Sequence, residues 1–89
     1  MVQTDLILNN EQGLHARPAD LFVRTANKFK SEIKISNLST GSSDVNAKSI
    51  LRILSLGVYS GHTIRVVADG EDETQAIEEI KTLVNQNFE

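Results

Sequence analysis

The stretch Gly13-Leu14-His15-Ala16-Arg17-Pro18-Ala19-Asp20 sets an imidazole and a guanidinium two positions apart, next to the only proline of the chain. Proline fixes φ and has no N–H, which suits the first turn of a helix, where an amide has no partner inside the helix anyway. Placing Pro18 there puts His15 at or beside the N-cap, among unpaired backbone N–H groups at the positive end of the helix dipole. Gly13 lets the chain turn sharply just upstream. A ring nitrogen of His15 can then accept a phosphoryl group whose oxygens meet the open amides and the Arg17 guanidinium. A helix end contributes about 0.3–1 kcal/mol, and an arginine hydrogen bond to an anion about 1.5–3 kcal/mol. Enzymatic rate enhancement asks for about 8 kcal/mol at the least. A loosely held phosphohistidine on a carrier therefore fits better than a phosphoryl-transfer enzyme. The plain alternative is a solvated histidine that happens to stand at a helix start.

A second candidate region is Lys48-Ser49-Ile50-Leu51-Arg52-Ile53-Leu54-Ser55-Leu56-Gly57. Ser49 is placed to cap a short helix, and Gly57 to end it. Two helical turns cannot turn Ile50, Leu51, Ile53, Leu54 and Leu56 all inward. Ile53 and Leu56 are assigned to the core, which leaves Ile50, Leu51 and Leu54 at least partly exposed. An exposed apolar cluster with a charged rim is a docking surface. Arg17, Arg24 and Arg52, with Lys48 at the edge, would supply that rim against an acidic partner. His62 has no motif to serve and reads as a solvated histidine; Tyr59 and Phe88 call for no function.

The remaining pattern must position these residues. Val2 to Leu8 reads as a strand with Leu6 and Leu8 on one face, ended by the turn-forming run Asn9 to Gly13. Ala19, Phe22, Val23, Ala26 and Phe29 recur at helical period. Glu32 to Ser36 alternates as a strand, Thr40 to Ser43 forms a hairpin tip, and a short strand follows at Asp44 to Ala47. Thr63 to Ala68 makes a fourth strand. Asp72 and Gln75 suggest a variant capping box opening a last helix, with Ala76, Ile77, Ile80, Leu83, Val84 and Phe88 as its apolar stripe. The order βαββαβα predicts an α+β domain: a four-stranded antiparallel sheet with three helices on one face.

Residues Gly13 to Ala19 resemble the phosphorylation motif of HPr, the histidine-containing phosphocarrier of the bacterial phosphoenolpyruvate:sugar phosphotransferase system. Ala47-Lys48-Ser49-Ile50, continuing to Ser55-Leu56-Gly57, is similar to that family's regulatory serine signature, and Gly70-Glu71-Asp72-Glu73 is a weaker match. The resemblance runs over essentially the whole chain and implies an open-faced β-sandwich as one HPr-like domain over 1–89. It implies that His15 takes a phosphoryl group from Enzyme I and passes it to sugar-specific IIA domains, on Nδ1 in the family. Arg17 would contact the phosphoryl group, and Ala16 and Pro18 would set the geometry of the helix mouth. Ser49 would be the site of an HPr kinase/phosphorylase. A module that works through Ser49 phosphorylation alone is the alternative function, and His15 argues for the first. On this alignment the Leu38–Ser43 hairpin is about three residues longer than in the commonest free-standing members, as in HPr-like domains of fused fructose-system proteins. A stand-alone protein and a domain of a fusion are both open. Asp20 replaces the small residue usual at its position.

The composition fits a small globular domain. The chain has 89 residues, 39% of them hydrophobic and 24% charged, enough for one core. A net charge of −3 argues against broad nucleic-acid binding. With no cysteine and two histidines, neither a disulfide framework nor a metal cluster is expected, and no motif asks for a cofactor. The expected setting is cytoplasmic and monomeric, peripheral to membrane transporters without entering the bilayer.

Overall fold

A computed structural model describes residues 1–88. Its elements are β1 (Val2–Ile7), α1 (Ala16–Ala26), β2 (Glu32–Asn37), β3 (Val45–Asn46), α2 (Ile50–Ser55), β4 (Thr63–Asp69) and α3 (Glu73–Asn85). The order and type of every element agree with the sequence reading. The strands form one antiparallel sheet in the order β1-β4-β2-β3.

Alternation sorts the two faces. Leu6 lies opposite Ile64, and Ile35 opposite Val66, so one face presents the buried residues Leu6, Ile33, Ile35, Ile64, Val66 and Ala68. The other face carries Asp5, Lys34 and Arg65, with a cross-strand pair from Arg65 to Asp5 at 2.8 Å. Ala19, Phe22 and Ala26 of α1 and Ala76, Ile77, Ile80 and Val84 of α3 close over the apolar face, joined by Phe88. Among the described residues no helix is long and apolar enough to cross a membrane.

Two elements differ from expectation at their ends. The third strand is confined to Val45–Asn46. The Asn46 side chain accepts from the Lys48 amide at 3.0 Å, and its carbonyl from the Ser49 amide, which turns the chain away from the sheet. Phe29 lies beyond the end of α1, because Asn27 closes that helix by donating Nδ2 to the Val23 carbonyl at 3.0 Å. Phe29 still packs against the core from the following turn.

The entry to α3 is built otherwise than by a capping box. Asp72 is the N-cap residue, but its side chain caps nothing in its own helix. Instead its carboxylate accepts from the Lys30 amide at 2.8 Å, the Ser31 amide at 3.0 Å and the Ser31 hydroxyl. Glu73 takes the local role by accepting from the Gly70 amide at 3.1 Å. Asp72 thus ties the start of α3 to the turn before β2, a longer-range use than the sequence suggested.

The Ser31 hydroxyl, with the Lys30 and Ser31 amides, holds the Asp72 carboxyl down at about 2 from a usual 3.8. A carboxyl whose pKa is lower folded than unfolded stabilises the fold above its unfolded pKa, and that contribution disappears as pH falls through the folded value. Denaturant unfolding followed from pH 6 to pH 2 should therefore show stability falling across about 4 to 2. Asp72→Asn should be less stable than the parent at neutral pH and fall less steeply over that window. Asp5 and Glu73, also lowered, keep part of the slope.

Candidate functional site

His15 is the N-cap of α1, with extended backbone at φ −126° and ψ 155°. Its ring makes no capping hydrogen bond, so the helix-start amides are not answered by this side chain. The next residue, Ala16, has φ +51°, a left-handed conformation that an L-residue adopts at a cost of about 1–2 kcal/mol. Pro18 is buried in the first turn, as its chemistry required, and Arg17 is exposed. Arg17 lines a shallow groove with Asn10, Glu11, Gln12, Pro18, Asn87 and Phe88.

The segment before His15 is fixed from below. Leu14 is fully buried, and its amide donates to the Val58 carbonyl at 3.0 Å. Asn10 donates Nδ2 to the Gly13 carbonyl at 2.8 Å. Gly13, at φ +64°, lies so close to the loop after α2 that a Cβ there would stand 2.3 Å from the Val58 oxygen and 2.7 Å from Tyr59 Cα. The glycine is required twice over, by its dihedral and by this approach.

The His15 ring is half-buried. Among the described residues its Nε2 is enclosed and has no hydrogen-bond partner, a condition that Nδ1 does not share. Tyr59 stacks on the imidazole, with ring centroids 5.1 Å apart and planes inclined by 28°. His62 meets the Tyr59 ring edge-on at 5.7 Å. The His62 Nδ1 accepts from the Tyr59 amide and from Asn37 Nδ2, each at 3.1 Å. His62 is therefore a hydrogen-bonded structural residue rather than a solvated one. Tyr59, set aside in the sequence reading, is the nearest aromatic neighbour of His15. Gly57 and Gly61 bracketing Val58-Tyr59-Ser60 mark a tight loop in the sequence, but not the loop it faces.

The second candidate region flanks this site. Ser49 caps α2, its hydroxyl accepting from the Arg52 amide at 3.4 Å, and Gly57 follows the helix at φ +58°. Ile53 is fully buried and Leu56 nearly so, while Ile50, Leu51 and Leu54 are 38%, 76% and 38% exposed. The helix divides as its length required. Asn27 at the end of α1 donates to the Lys48 carbonyl at 3.4 Å, so α2 starts beside the end of α1 and finishes near His15. Arg52 is exposed on α2. Arg24 pairs with Asp20 at 3.0 Å. The Lys48 ammonium donates to the Phe29 carbonyl at 2.7 Å, which ties it to the turn after α1 instead of projecting it from the rim.

A half-exposed histidine at a helix mouth, on a four-stranded antiparallel sheet under three helices, is the arrangement of a phosphocarrier type of domain. The profile described as "PTS HPr component phosphorylation site" matches residues 2–86. This chain belongs to the HPr family of the phosphotransferase system. It is 48% identical over 79 residues to a multiphosphoryl transfer protein of Haemophilus influenzae, covering 88% of this chain but only 16% of that longer protein. The crystal structure of HPr-C-His from Thermoanaerobacter tengcongensis superposes with a TM-score of 0.94 at 43% identity, over 99% of this chain and 96% of that one. The phosphocarrier protein HPr of Bacillus anthracis gives a TM-score of 0.86 at 38% identity, over 93% and 95% of the two chains.

The close approach at Gly13 can be tested directly. Gly13→Ala combines positive-φ strain with a backbone overlap that no side-chain movement relieves, so unfolding should show a loss of about 2–5 kcal/mol. Gly41→Ala, also at positive φ but with open space around its Cβ, should lose about 1–2 kcal/mol. Equal losses in the two variants would remove the packing argument and leave the dihedral alone.

Proposed function

We propose that the protein relays a phosphoryl group through His15, from phosphorylated Enzyme I to sugar-specific IIA domains, in phosphoenolpyruvate-dependent sugar uptake at the cytoplasmic side of the membrane. The observation that carries this reading is the half-exposed His15 ring at the mouth of α1, with Nε2 enclosed and Nδ1 not. In the forward step the Nδ1 lone pair attacks phosphorus. A new N–P bond forms as the N–P bond of the donor histidine breaks, and its electron pair returns to the donor imidazole. The reverse exchange, with a IIA histidine as acceptor, unloads the carrier.

The surroundings suit a temporary cargo. The start of α1 offers amides that the His15 side chain does not use, and Arg17 stands two residues away without an ion pair among the described residues. These groups favour a bound phosphoryl oxygen by a few kcal/mol, enough to hold it and too little to trap it. Ile50, Leu51 and Leu54 on α2 form the apolar part of the docking surface, with Arg17, Arg24 and Arg52 near it and Lys48 at its base. Ser49 is the regulatory position. A phosphate at this N-cap suits the helix dipole but sets about two negative charges beside the apolar docking residues, which opposes an acidic partner.

Incubation with phosphoenolpyruvate and Enzyme I should add one acid-labile phosphate to the protein, and His15→Ala should take up none. Full labelling of His15→Ala would end this reading. Arg17→Ala should keep its melting temperature and transfer about 10- to 100-fold more slowly, as expected for loss of one charge-assisted hydrogen bond. Ser49→Asp should raise the protein concentration needed for half-maximal uptake from Enzyme I while leaving the fold intact.

A further inference from the structure

Tyr59 is a large aromatic side chain, 58% exposed and outside the core, yet its backbone is held on both sides. Its amide donates to His62 Nδ1 at 3.1 Å, and its carbonyl accepts from the His62 amide at 3.1 Å. Behind His62 stands Asn37, fully buried. The Asn37 Oδ1 accepts from the Ser39 amide at 3.0 Å, which orients the carboxamide and leaves Nδ2 as the donor to His62 Nδ1. Two N–H groups converge on one ring nitrogen, so His62 Nδ1 carries a lone pair and no proton. The neighbouring backbone completes the clamp: Gly61 donates to the Leu8 carbonyl, and Leu8 to the His62 carbonyl at 2.9 Å. Tyr59 is thus fixed relative to the strand and loop that deliver His15.

We propose that Tyr59 is a positioning residue for His15. Its ring, held in place by His62 and Asn37, keeps the imidazole in the one orientation that buries Nε2 and confines phosphorylation to Nδ1. This rests on the reading of His15 as the phosphoryl acceptor. Both nitrogens of a free imidazole are competent nucleophiles, so selection between them must come from the surroundings. A half turn of the His15 ring about Cβ–Cγ puts Nε2 in the place of Cε1 and Nδ1 in the place of Cδ2, which takes Nε2 out of its enclosure. The stacked Tyr59 ring, 5.1 Å away and 28° from parallel, lies in the path of that rotation. With the stack in place, the N–P bond forms at Nδ1, the bond to the donor's leaving group breaks, and Nε2 stays covered. Without it, the ring turns and Nε2 becomes a second acceptor.

The test uses two donors. Labelling of the parent protein by phosphoenolpyruvate and Enzyme I, lost in His15→Ala, establishes His15 as acceptor; no uptake by the parent overturns the functional reading itself. Phosphoramidate, a small donor that imposes no orientation of its own, then phosphorylates the parent, Tyr59→Phe and Tyr59→Ala. The two isomers at His15 are resolved by ³¹P and ¹H NMR, with His15 and His62 signals assigned separately. The expected result is Nδ1-phosphohistidine alone at His15 in the parent and Tyr59→Phe, and an Nε2 isomer making up at least about a tenth of the His15 label in Tyr59→Ala. If Tyr59→Ala gives the Nδ1 isomer alone, with uptake by Enzyme I intact, the positioning role is overturned and the phosphocarrier reading stands. Should the alanine variant lose its native amide spectrum, Tyr59→Leu, which removes the planar ring and keeps apolar bulk, replaces it with the same two outcomes.

Discussion

The backbone of Gly13 and Leu14 lies directly against that of Val58 and Tyr59, with no side chain between them. The Leu14 amide bonds to the Val58 carbonyl, and the missing Cβ of Gly13 leaves room for that carbonyl and for Tyr59 Cα. Most of the site follows from this contact. It brings the loop after α2 to the mouth of α1 and stacks Tyr59 on His15, whose Nε2 is enclosed. It also makes α1 and α2 neighbours at both ends, since Asn27 and Lys48 close the opposite end. A histidine on a free loop would sample many orientations. Here the segment that carries the ring is restricted by backbone packing.

Charge on this face is distributed more sparsely than the sequence suggests. Arg24 shares its charge with Asp20 in an exposed pair four residues apart, an arrangement worth about 0.3–0.5 kcal/mol. The pair contributes little to stability, but it reduces the positive charge that Arg24 presents. Lys48 is held at the end of α1. Among the described residues, Arg17 and Arg52 are the rim cations of α1 and α2 that make no ion pair. The face therefore couples an apolar patch to a narrow basic edge.

The sequence revealed periodicity well and partners poorly. Alternation at Glu32–Ser36 and Thr63–Ala68 placed both strands within a residue or so, because one face of the sheet is buried and the other charged. The division of α2, with Ile53 and Leu56 inside and Leu51 outside, followed from its length alone. Pro18 and Gly13 located His15 at the helix mouth, since each residue is suited to few conformations. What escaped was contact between segments distant in the chain. Asp72 has a local capping role available and instead bonds Lys30 and Ser31, over 40 positions away. Tyr59 and His62 carry no local signal of their roles, because His15 and Asn37 reach them only through the folded sheet.

The strand order also governs when the site can exist. β4 lies between β1 and β2, so Val2 waits for Ala68 and Ile33 for the same residue before either neighbour is hydrogen-bonded at the middle of the sheet. Pairings separated this far along the chain carry a loop-closure cost that slows folding relative to helical bundles of similar size. On a ribosome, the imidazole emerges early and remains an ordinary solvated side chain. It acquires its enclosed edge and its aromatic neighbour only once the second half of the chain has been synthesised and threaded into the centre.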